Sequence, residues 1–138
     1  MSLNAKNKGN VFEIYIMNLL IRYGYKATTS RNSSKVLDDL GVDIDTDFPF
    51  NIQCKSLERT PPYQHILKDM PKNKIPVIFH KRKHQGTVVV MELDDFMNIS
   101  ELVKELKEVI SEKNVVSADK EKVMISISRD EWEGLRNS

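Results

Sequence analysis

The sequence predicts a mixed α/β fold, and three features predict it. Residues 8–24 place apolar side chains at helical spacing. Residues 41–55 alternate apolar and polar side chains on both sides of a turn. Two more apolar runs, 75–80 and 87–93, are interleaved with helical patterns. A chain of 138 residues suits one domain, with its core over about 6–99 and a helix–strand extension over 100–138. At 40% hydrophobic and 30% charged, the balance is that of a soluble protein. No apolar run approaches the roughly 20 residues of a membrane span, and the polar start (Asn4, Lys6, Asn7, Lys8) lacks a signal-peptide pattern, so a cytoplasmic location and no membrane partner are expected.

In the first helix, Val11, Phe12, Tyr15, Met17, Leu19, Leu20 and Tyr23 follow the helical period, with Asn7 as N-cap and Gly24 as stop. Glu13 interrupts the apolar positions; the positive end of a helix also favours an acid there. Residues 25–30 are expected to be extended, and 30–40 to form a polar loop with a helical turn. Val42 and Ile44 then share one face of a strand, opposite Asp43 and Asp45. Ile52 and Cys54 share a face of the returning strand, opposite Gln53 and Lys55, with Asp47, Phe48 and Pro49 in the turn. Cys54, the single cysteine, excludes an internal disulfide and fits a buried structural thiol in a reducing compartment; no Cys/His set has zinc-site spacing.

Pro61 and Pro62 start a short helix that runs to about Met70. A basic turn, Lys81, Arg82 and Lys83, joins the last two strands of the core. It serves either to protect a sheet edge or to contact phosphate, and His80 and His84 beside it are read as polar surface residues. Asp94-Asp95-Phe96 begins a short turn or helix, and an amphipathic helix over 100–113 has Ser100 as cap and Leu102, Val103, Leu106, Val109 and Ile110 as its buried stripe. Residues 122–128 alternate as a strand, and 129–137 form a turn with Trp132 packed inward.

If the hairpin buries its apolar faces, Asp43, Asp45, Gln53 and Lys55 share one polar surface. Two carboxylates, an amide oxygen and an ammonium there make a site for a hard cation beside a phosphate. Charge distribution fits that reading. Residues 1–35 sum to +5, 36–50 to −5, 51–85 to +6 and 86–138 to −5, so an acidic knot lies between basic flanks in a chain of net charge +1. A merely solvated surface has the same composition.

A Glu on a first helix (Gly9, Glu13), the Tyr25 strand, Ser30-Arg31, Gly41-Val42-Asp43 and Gln53-Cys54-Lys55 together resemble the PD-(D/E)XK nuclease superfamily over about residues 6–95. Within it they are most similar to Holliday junction resolvases of the archaeal type and related phage endonucleases. The resemblance implies a restriction-endonuclease-like mixed β-sheet core in the order αβββαβ, flanked by helices. It implies a magnesium- or manganese-dependent DNA endonuclease, structure-specific and resolvase-like, working as a homodimer on DNA without a small-molecule cofactor, in a prokaryote or phage. Asp43 would be the central metal ligand, with Gln53 and the Cys54 backbone carbonyl completing the protein share. Glu13 would take a second metal or a water of the first, and Lys55 would orient or help deprotonate the attacking water. Ser30 and Arg31 would touch the scissile region or its flanking phosphate, and Lys6, Lys8, Lys81, Arg82 and Lys83 would bind further phosphates. The sequence departs from the family at Gln53, where a carboxylate is usual; Asp45 is either a substitute for the missing charge or a solvated turn residue. Two alternatives stay open: a restriction- or repair-type duplex nuclease, and a nucleic-acid-binding module that lost hydrolysis through Gln53.

Overall fold

A computed structural model describes residues 2–116 of the chain, which divides into two compact units, Met1–Leu93 and Asp94–Ser138. The first unit is mixed α/β. Its elements are α1 (Ser2–Arg22), β1 (Ala27–Thr29), α2 (Ser30–Ser33), α3 (Lys35–Asp39), β2 (Ile44–Thr46), β3 (Phe50–Ser56), α4 (Tyr63–Asp69), β4 (Ile75–Arg82) and β5 (Gly86–Val90). No described helix is long and apolar enough to cross a membrane.

Helix α1 starts earlier than its apolar spacing suggests, so Asn7 lies inside it rather than capping it. It ends before Gly24, whose φ of 95° only glycine adopts freely. Phe12, Ile16 and Leu20, one helical turn apart, are its buried ridge, whereas Val11, Tyr15 and Tyr23 are exposed. The segment after β1 is more helical than a polar loop: Ser34 caps α3 through its hydroxyl, which accepts from Leu37 N at 3.2 Å.

The expected hairpin is absent as a pair of strands. β2 takes β1 as its antiparallel partner, with Thr28 opposite Asp45 and Thr29 opposite Ile44. β3 instead runs parallel to β4, which pairs antiparallel with β5. The turn between β2 and β3 is satisfied from the start of β1: Asp47 Oδ1 accepts from Lys26 N at 2.9 Å, and Asp47 N donates to Lys26 O at 3.3 Å. The mixed sheet is therefore three-stranded, with the β1–β2 ribbon separate from it.

The unit β3–α4–β4 is a parallel crossover, and alternation along its strands sorts side chains onto two faces. Ile52 and Val77 pack with Phe12, Ile16, Leu20 and Ile44 on the α1 face, flanked by Phe50, Cys54 and Phe79. Ile78 packs with Val42, Leu67 and Met70 on the α4 face. Val42 and Ile44 thus enter different halves of the core, because the chain turns at Asp43 before β2 begins. Lys72 Nζ closes the end of α4, donating to the carbonyls of Leu67, Lys68 and Met70. The β4–β5 turn needs positive φ at His84 (62°) and Gly86 (78°).

In the second unit, one continuous helix, α5 (Leu93–Val116), replaces the two pieces expected from the sequence. Asp94 and Asp95 occupy its first turn, where the helix dipole favours acids. Ser100 is not a cap: it lies inside the helix, and its hydroxyl donates to Phe96 O at 3.0 Å. Leu102, Val103, Leu106 and Val109 are exposed rather than a buried stripe, and Ile110 is half-buried. The strand expected at 122–128 and the turn with Trp132 lie outside the described residues.

Candidate active site at the edge of strand β3

Gly41 opens the site. Its φ of +82° turns the chain out of α3 toward β3, and a Cβ there would stand 3.4 Å from the Gln53 amide. Asp43 follows and replaces a missing ladder partner along the β3 edge. Its N–H donates to Ile52 O at 2.8 Å, and its carboxylate Oδ2 accepts from Cys54 N at 2.7 Å. Its own carbonyl accepts from Ser30 N at 2.8 Å, tying the site to the start of α2. The Asp43 carboxylate therefore lies against the strand edge. Asp45 Oδ2 accepts from the Ser33 hydroxyl at 3.1 Å.

Burial pushes the Asp43 carboxyl up from the usual 3.8 to about 7; the Glu13 charge and, more weakly, Asp38 push the same way, while the Cys54 N–H bond and Lys55 oppose it. The half-buried Cys54 thiol is pushed well up, first by burial and then by Asp43 and Glu13, which fits an inert structural thiol. Glu13 reaches the site from α1, and its Oε1 pairs with Arg31 Nε at 3.1 Å. Gln53 and Lys55 fall together on the α4 face of β3. The Gln53 amide lies between Gly41 O and Lys55 Nζ, each at 3.3 Å; only Nε2 toward Gly41 and Oε1 toward Lys55 satisfies both.

The structure thus gathers Glu13, Asp43, Gln53 and Lys55 around one strand edge, with Arg31 paired to Glu13. The other expected contacts divide. Ser30 is fully buried, and neither its hydroxyl nor that of Thr29 has a partner among the described residues, so Ser30 offers no surface contact. Lys6, Lys8, Lys81 and Lys83 are exposed. Arg82 instead donates to Glu58 O and Thr60 Oγ1, both at 2.9 Å.

His80 is the clearest correction. It is 1% exposed rather than a surface residue. Its Nε2 lies 2.8 Å from Leu57 O, and its Nδ1 lies 2.8 Å from the Tyr63 hydroxyl. A carbonyl only accepts, so Nε2 carries the hydrogen, and Nδ1, when unprotonated, accepts from the Tyr63 hydroxyl. His80 is the register partner of Lys55, so this pair stands next to the site. No local sequence signal could have revealed it, because it depends on the β3–β4 register.

Among the described residues, no three His, Cys, Asp or Glu side chains gather as a metal-binding group. The acidic donors at the site are two, Asp43 and Glu13, supplemented by an amide and backbone carbonyls. Such a set fits a hard cation that keeps most of its own water and unfits one needing a full protein cage. The second carboxylate oxygen of Asp43, which carries no hydrogen bond among the described residues, is the donor open to such an ion. No family model, curated protein or solved structure matches the chain.

Proposed function

We propose that this protein is a metal-dependent DNA endonuclease that hydrolyses phosphodiester bonds, resolvase-like in preferring branched DNA, on a restriction-endonuclease-like core. The observation that carries the proposal is the Asp43 carboxylate. It is fixed at the strand edge by Cys54 N, raised to about 7 beside Glu13, and stands in the same short segment as Gln53 and Lys55. Burial, reinforced by the Glu13 charge, disfavours the bare Asp43 carboxylate, and a divalent cation beside it would supply the missing positive charge.

Asp43 would hold magnesium or manganese directly, with Gln53 and the Cys54 carbonyl as neutral oxygens and Glu13 in support. The ion, when bound, lowers the pKa of water and neutralises phosphate charge. The protein residues do the rest. Lys55, positioned by the Gln53 oxygen, orients the attacking water and offsets charge on the phosphate. Arg31, paired to Glu13, is available to a phosphate once Glu13 takes a cation. Lys6, Lys8, Lys81 and Lys83 hold the polyanion.

One observation favours a second reading, a nucleic-acid-binding module without hydrolysis: the Gln53 oxygen already faces Lys55 and Glu13 already faces Arg31, so both carry protein partners. Cleavage of a labelled four-way junction and a matched linear duplex, in magnesium and in manganese, separates these readings. The proposal expects metal-dependent cutting of the junction, abolished in Asp43→Ala and Lys55→Ala. Equal cutting of the duplex points to a restriction- or repair-type nuclease. Tight binding with no cutting in either metal points to the binding module.

A further inference from the structure

We propose that Arg59 is a phosphate-contacting residue of the nucleic-acid surface, presented on a braced loop (57–60), and that Arg82 is the clamp of that loop rather than a phosphate contact. The inference rests on the reading of DNA as partner and adds a residue to it.

Four residues follow β3 before Pro61, and the end of β4 holds them from one side. Leu57 N donates to Lys81 O at 3.2 Å, and Leu57 O accepts from His80 Nε2 at 2.8 Å. Glu58 O accepts from Arg82 Nε, and Thr60 Oγ1 accepts from Arg82 Nη2, both at 2.9 Å. The Glu58 carboxylate accepts from Lys83 N at 2.8 Å. Surface loops commonly leave such groups to water; here they are tied down, partly by a buried histidine whose other nitrogen is satisfied by Tyr63.

The bracing sorts the charges. Arg82 is engaged through two nitrogens, and the Glu58 carboxylate has a backbone partner. Arg59 is exposed and makes no ion pair or hydrogen bond among the described residues. It stands four positions beyond Lys55, at the carboxyl end of the parallel β3–β4 pair, where parallel α/β units receive ligands. Ser56 is in register with Lys81, so the exposed Lys81 and Lys83 flank the same end. A guanidinium on a rigid loop binds a phosphate bidentately with little ordering cost, whereas the same group on a loose loop must first be ordered.

The test is binding of a labelled DNA duplex across a range of salt concentrations, with a chelator present so that nothing is cut. Arg59→Ala should lower the slope of log affinity against log salt by about 0.9, one phosphate contact, and Arg59→Lys should keep it. Arg82→Lys, which preserves charge but not the fork, should keep the slope while speeding amide hydrogen exchange over residues 57–60. An Arg59→Ala protein with the wild-type slope overturns the inference, as does Arg82→Lys with unchanged exchange. Wild-type protein that binds no DNA at any salt concentration overturns the functional proposal itself, which is a different outcome.

Discussion

Asp43 is the residue whose surroundings make the sharpest statement. Its carboxyl binds a proton up to about pH 7 in the folded protein but only to about 3.8 when unfolded. Between those values the native state holds more protons than the unfolded one, so stability falls as pH rises through the window. The full shift corresponds to about 4 kcal/mol. Denaturant unfolding at pH 5 and pH 8 should therefore show wild-type protein losing stability at the higher pH, and Asp43→Asn, which can still accept from Cys54 N, should flatten that dependence. An Asp43→Asn protein with the wild-type pH dependence would remove the buried-acid account. Period-two alternation made Gln53 and Lys55 legible as neighbours on one face of β3, whereas Asp43 precedes β2 and reaches them through its bond to Cys54 N. The sequence could not show that Gln53 turns to Lys55, that Glu13 pairs with Arg31, or that Ser30 is buried, because those depend on side chains brought from different elements.

At the scale of elements, alternation identifies a strand but not its partner. The 41–55 pattern reads as a hairpin, yet Lys26 satisfies the turn and draws β2 to β1, leaving β3 for β4. The same pattern still located Ile52, which is wholly buried between α1 and β4. Ile52→Ala should cost about 2–5 kcal/mol through lost burial and the cavity left behind. Ser100→Ala, by contrast, should change stability by less than about 0.5 kcal/mol, because Ser100 lies within α5; loss of a true N-cap would cost about 1 kcal/mol. Urea unfolding midpoints measure both. The helical period of 100–113 was legible, but periodicity does not say where a helix begins, and the two acids at positions 94 and 95 fit a first turn as well as a loop.

Across the whole molecule, the charge pattern ties the site to its surroundings. An acidic segment that holds Asp43 lies between basic flanks that supply Lys6, Lys8, Arg59, Lys81 and Lys83. A four-way junction has two-fold symmetry, so the resolvase reading carries the expectation of a homodimer presenting two such sites. The central claim is that Asp43 and its neighbours hydrolyse DNA with a divalent ion, and the most direct measurement is the rate of junction cleavage in magnesium by wild-type protein and by Asp43→Asn, alongside each protein's affinity for the same junction in chelator. The account predicts that wild-type protein cuts and that Asp43→Asn is slower by about a thousandfold or more, with affinity nearly unchanged. Asp43→Asn cutting at the wild-type rate, or wild-type protein that binds the junction and cuts it in neither magnesium nor manganese, would contradict it.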